Sequence, residues 1–193
     1  VQQNRFEEAL EIPRRCEQWG ITNPTMGYLT AACFERFSLQ ARNDAKRQVW
    51  LQGAVSKLKN CLAKSRELRP IAALEGMTSW RAANKLGEVF LQLAEPARAL
   101  ELFDLAIELR EDFTEPLLGR CEALIELGRT AQAKVELESV AQLKCADLPL
   151  LFALALRREG RKLEADRYVD QAYERVREAG ILSSHRVQQL NTI

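Results

Sequence analysis

Apolar residues along most of this chain recur at spacings of three and four, the period of one helix face. Prolines at 13, 24, 70, 96, 116 and 149 punctuate the pattern. In "LGEVFLQLAEPARALELFDLAIEL", Leu86, Phe90 and Leu93 mark one face, and after Glu95-Pro96, Leu100, Phe103 and Ile107 mark another. Pro96 fits the first turn of the second helix, where its missing N–H costs nothing. The stretch predicts two antiparallel helices joined by a short turn. "PLLGRCEALIELGRTAQAKVELESVAQL" predicts a second such hairpin, with Gly128 at the turn and a second helix over Thr130 to Leu143. "PLLFALALRREGRKLEADRYVDQAYERV" predicts a third, with Gly160 at the turn.

The three hairpins align on their small residues. Ala94, Gly128 and Gly160 stand at the turns, Ala99, Ala133 and Ala165 follow five residues later, and Phe103, Leu137 and Val169 four residues after those. The unit repeats after 34 and then 32 residues. Leu86-Gly87, Phe90, Ala99, Phe103 and Ala106 resemble the pattern of the tetratricopeptide repeats (TPRs), with Ala94 where the family usually has a turn glycine. The second unit departs from the pattern at Arg120, where a Leu is usual, and at Val140, where an Ala is usual. The resemblance implies an all-α fold, a right-handed superhelical array of antiparallel helix pairs. Gly87, Ala99 and Ala106 would let helices approach closely while Phe90 and Phe103 fill the space beside them. Since one hairpin cannot bury its apolar surface alone, stacked neighbours complete the core.

The expected organisation has three parts. Residues 1–76 are divergent or incomplete helical repeats: a second helix whose partner is missing around "NRFEEALEIPRRCEQWGI", a helix from Asn23 to Leu39 capped by Asn23, and a long helix from Asn43 to Leu68. Residues 77–180 hold three TPR-like repeats, at 80–113, 114–145 and 146–179. Residues 181–193 form a capping segment or tail. The chain starts at Val1 rather than Met, which points to a piece of a longer chain. Trp19, Trp50 and Trp80 are expected to anchor the core.

Composition narrows the function classes. Hydrophobic residues make up 47% of 193, enough for a core, and aromatic residues only 7%. With Lys+Arg 28 against Asp+Glu 27, the net charge of +1 gives no field to draw in nucleic acid or an anionic membrane. No apolar run has the length of a membrane span. The five cysteines are widely spaced without a C-x-x-C, so they read as small buried thiols and favour a reducing, cytoplasmic setting.

Chemistry is sparse. His185 is the single histidine, in a polar tail without a base-orienting neighbour, so it reads as a solvated side chain. The acids Glu101, Asp104, Glu108, Glu111 and Asp112 read as a solvated helix face. The basic run "LRREGRKLEADR" reads the same way, with an acidic-peptide contact as its alternative. No enzyme activity, metal or cofactor is expected.

The TPR resemblance implies that the first helix of each pair lines a concave groove. On that register the groove displays Arg81, Asn84, Lys85, Glu88 and Gln92, then Glu115, Leu118, Gly119, Glu122 and Glu126, then Leu150, Leu151, Leu154 and Arg158. Such a surface suits a peptide or helix of a partner protein. Reversing charge at Lys85 and Glu122 is expected to weaken partner binding while leaving melting unchanged. A subset of the family grips chaperone C-termini through a Lys/Asn/Arg clamp. This chain has Asn84, Glu88, Gly119, Asp147 and Leu151 at the matching places and lacks the clamp. The leading expectation is therefore a non-catalytic interaction module or scaffold. The alternative is the repeat region of a larger enzyme, such as a glycosyltransferase, that positions substrate or mediates dimerisation. A third reading is homo-oligomerisation through terminal repeats.

Overall fold

The computed structural model describes residues 2–19, 24–64, 76–142 and 145–179. They form helices only: α1 (Gln2–Gln18), α2 (Pro24–Gln40), α3 (Asp44–Lys64), α4 (Trp80–Gln92), α5 (Pro96–Leu109), α6 (Glu115–Glu126), α7 (Thr130–Ser139), α8 (Asp147–Arg158) and α9 (Lys162–Ala179). Asn23, most of the 70–76 segment and the tail with Ser183, Ser184, His185 and Arg186 lie outside the described residues.

The helix starts follow local chemistry. Pro24 and Pro96 each open a helix and Pro116 stands in a first turn, as their fixed φ allows. Asn43 accepts the Lys46 N–H on its Oδ1 at 2.9 Å and so caps α3. Pro13, in contrast, sits within α1 rather than between elements. The turn positions Gly128 and Gly160 have φ of 76° and 78°, and Ala94 adopts the same left-handed backbone at 58° despite its Cβ. α7 ends at Ser139, before the predicted Leu143, because i→i−3 bonds from Val140 to Leu137 and from Ala141 to Glu138 tighten its last turn.

The array is built from hairpins α2/α3, α4/α5, α6/α7 and α8/α9, each stacked on the next, with α1 packed on α2. It is an α-solenoid of antiparallel helix pairs. Leu86, Phe90, Ala99, Phe103 and Ala106 are buried, as are Cys121, Ala133, Leu137 and Val140 of the second unit and Ala153, Leu156, Ala165 and Ala172 of the third. Phe103 is the wedge between units. A Cβ on Gly87 of α4 would stand 2.7 Å from the Phe103 ring, and one on Gly119 of α6 would strike the same ring from the next helix. Two first helices therefore close on one buried aromatic, each over a glycine. Gly119 is thus a packing position and does not display the groove surface that the register assigned to it.

Other single residues sort as follows. Trp80 is buried, edge-on to Phe113 at 4.3 Å and flanked by the guanidiniums of Arg81 and Arg110 at 4.6 and 4.7 Å. Trp50 stacks on Phe37 at 4.9 Å. Trp19, expected in the core, is 70% exposed just beyond the end of α1. None of the described cysteines forms a disulfide, and Cys61 and Cys121 are buried. Cys61 donates to the Pro24 carbonyl at 3.1 Å, and burial pushes its thiol up to about 11.

Candidate functional site

Helix α4 packs on α6 and α6 on α8, whereas among the described residues α5 and α7, or α7 and α9, make no comparable contact. The first helices thus crowd together in one layer and the second helices spread apart in the other, so the array curves toward the first-helix face. That face carries most of the predicted binding residues, and the structure separates them by burial and by hydrogen bonding.

Arg81, Glu115, Glu126 and Arg158 reach solvent. Arg158 donates to Glu126 at 2.6 Å and so joins α8 to α6. Glu122 and Leu151 do not reach the surface. Glu122 is 2% exposed and Leu151 0%, and Leu118 and Leu150 are buried with them, because the helix seam turns these positions into the interhelical core. Glu122 and Leu151 are therefore corrected from groove-lining to core positions. Leu154 is half-buried. The expectation that charge reversal at Lys85 and Glu122 spares stability fails on the same ground.

Asn84, Lys85, Glu88 and Gln92 form a polar network that extends beyond their own helix. The Lys85 ammonium donates to Glu35 of α2 at 3.1 Å and to Glu88 at 2.5 Å. Gln92 donates to the other Glu35 oxygen at 2.8 Å, and Asn84 donates to Glu88 at 3.1 Å. Burial alone would pull the Lys85 ammonium down, but the Glu88 and Glu35 carboxylates outweigh it and hold the group well above its ordinary range. Tyr28, one helical face-repeat before Glu35, is raised by burial, which the nearby Lys85 charge partly offsets. Glu115 is raised by partial burial and then by the like charge of Glu88, against the pull of Arg81 and Lys85. Asn84 is 7% exposed, and its Oδ1, like the Gln92 Oε1, accepts no hydrogen bond.

Sequence reasoning missed Tyr28 and Glu35. Their spacing of seven on α2 marks one helix face, but nothing local tells that this face meets α4 fifty residues later. The other charged features pair locally. Asp104 and Glu136 clasp Arg120 from α5 and α7 at 2.7 and 2.5 Å, Asp112 holds Arg110 at 2.8 Å, and Arg157 pairs with Asp166 at 2.9 Å. Arg161 pairs with Glu164 and Glu159. The basic run is therefore mostly tied down by neighbouring acids. Among the described residues no group of three His, Cys, Asp or Glu side chains is placed to hold a metal, and no helix is long and apolar enough to cross a membrane.

Two solved structures share this arrangement of helices. One is "MamA MSR-1 C2", at TM-score 0.60 and 14% identity, over 92% of this chain and 91% of that one. The other is a tetratricopeptide repeat protein from Parabacteroides merdae ATCC 43184, at TM-score 0.50 and 15% identity, over 98% of this chain and 77% of that one. The chain has a TPR-like fold. No protein-family model matches the chain, and a search of curated proteins returns no match. At these identities the likeness concerns the fold, and the departures at Ala94, Arg120 and Val140 fit a sequence far from the TPR consensus. Within this TPR-like array the polar network belongs to the first-helix face of α2, α4 and α6.

Proposed function

We propose that this chain is a protein-interaction module, and that its first-helix face receives a segment of a partner protein. The observation that carries the reading is the polar network on that face. On that face Arg81, Glu115, Glu126 and Arg158 are exposed, and Lys85, Glu35, Glu88 and Gln92 brace α4 against α2. Bracing between α2 and α4, and between α6 and α8, fixes the face before a ligand arrives, which lowers the ordering cost of binding. The TPR-like fold supports an extended or helical protein segment as the occupant, since a curved layer of parallel first helices offers a long shallow surface rather than a closed pocket. A cytoplasmic setting suits cysteines that, among the described residues, form no disulfide.

The test uses a partner captured from cells and then purified. Arg81→Ala and Glu115→Ala weaken its binding in calorimetry, while Glu101→Ala and Glu108→Ala on the exposed side of α5 do not. Loss of affinity confined to the α5 substitutions would overturn the assignment of the face.

A further inference from the structure

The network on α2, α4 and α6 has an imbalance with a definite sign. It gathers three carboxylates, Glu35, Glu88 and Glu115, against two cations, Lys85 and Arg81. Lys85 is committed to Glu35 and Glu88, and Arg81 lies over the Trp80 ring at 4.6 Å. Glu115 makes no ion pair with either. Independently, the unpaired buried side-chain atoms of the cluster, Asn84 Oδ1 and Gln92 Oε1, are both acceptors. Asn84 is more than nine-tenths buried, and its Nδ2 is fixed on Glu88, so the amide cannot turn to present a donor without placing oxygen against a carboxylate. The cluster is short of protons on charge and on hydrogen bonding alike. Carbonyl oxygens left without a donor point their negative ends into the surroundings unopposed, which favours a cation over an anion beside the cluster.

We infer that the face between α4 and α6 takes a lysine or arginine side chain of the partner segment, with Glu115 as its counter-charge. This inference rests on the proposed function and narrows it to a basic partner. An acidic segment would meet the exposed Glu115 as a like charge. The exposed Arg158, at the far end of the face, is already neutralised by Glu126 and offers little to an acid.

The probe is a fluorescent dodecapeptide with lysines spaced through a serine–alanine background, compared with versions in which glutamine or glutamate replaces every lysine. Anisotropy reads affinity, and amide resonances read location. The lysine peptide binds roughly fivefold or more tighter than the glutamine peptide, the size of one charge-assisted contact. It shifts resonances of α4, α6 and the Asn84 side-chain amide. Glu115→Gln removes most of the preference, and the exposed-face control Glu101→Gln with Glu108→Gln keeps it. Equal binding of the lysine and glutamine peptides, or an undiminished preference in Glu115→Gln, overturns the inference. Should the glutamate peptide bind best while shifting α4 and α6, the basic-partner inference fails and the proposed face stands. If the lysine peptide shifts only α5 and α7, both fail.

Discussion

Replacing Gly119 with alanine tests how the units interlock. In an open helix position the change gains about 1 kcal/mol, because glycine has the poorer helix propensity. At Gly119 the new Cβ would meet Phe103 Cε1 and stand 2.5 Å from Cζ. Carbon atoms in contact prefer about 3.5–4.0 Å, so the ring must retreat by roughly 1 Å. Phe103 is 0% exposed, and on its other side the site of a Gly87 Cβ is only 2.7 Å from the ring, so retreat toward α4 closes on backbone. Overpacking of this kind costs about 1–3 kcal/mol. Set against the propensity gain, Gly119→Ala should be net destabilising by up to about 2 kcal/mol, read as a lower urea midpoint at unchanged m. Gly53→Ala is the comparison. Its Cβ would stand 2.9 Å from Phe34, a ring only half-buried and better able to yield, so the loss is smaller. In a double-mutant cycle, Phe103→Leu relieves the clash, and the two changes together cost less than their sum by about 1 kcal/mol or more. A Gly119→Ala variant more stable than the parent would refute the wedge.

The remaining predictions use the same structure. Ala94→Gly should raise stability by about 1 kcal/mol, since Ala94 holds φ 58°, and Gly128→Ala should lower it by a similar amount; both are read from denaturant midpoints. Lys85→Met should destabilise the fold by about 3 kcal/mol or more, seen as a lower melting temperature, because it removes the cation that buried Glu35 and half-buried Glu88 share. The Lys85 contribution is fully present below its ordinary value of 10.5 and is lost only as pH rises through its raised folded value, so wild type and variant should keep the same gap through neutral pH. Glu115 has a raised folded value, so it binds protons more readily folded than unfolded, and its charge costs stability above 4.5. Glu115→Gln should therefore melt slightly higher at pH 7, by less than about 0.5 kcal/mol given its exposure, and the gain should vanish below pH 4.5.

The sequence made the array visible because close helix contacts need small residues at fixed places. Gly87, Ala99 and Ala106 announced those contacts, and the turn positions Ala94, Gly128 and Gly160 gave the period. The groove was harder to read. Neighbouring residues on a helix differ by about a third of a turn, so a slight rotation decides whether Glu122 faces solvent or the seam. Gly119 carried the same ambiguity, since a helical glycine serves a surface as well as a close contact, and only Phe103 beneath it decides. Asn84, Lys85 and Glu88 were legible as inner-face residues, but their partner Glu35 lies on α2, about fifty positions earlier, and periodicity within α4 carries no trace of it. Arg120 misled for a related reason. It departs from the Leu usual at its position, yet Asp104 and Glu136 from two other helices satisfy it.

A partner protein lying against the first-helix face, as proposed, would be within reach of side chains on that face. Site-specific photo-cross-linking in cells tests this most directly, with a benzophenone side chain placed in turn at Arg81, Glu115, Glu126, Glu101, Leu105 and Glu108. Glu101, Leu105 and Glu108 are exposed on α5, so they sample the opposite layer under the same conditions. One partner should be captured from Arg81, Glu115 and Glu126 and not from the α5 positions. Capture from α5 alone would contradict it.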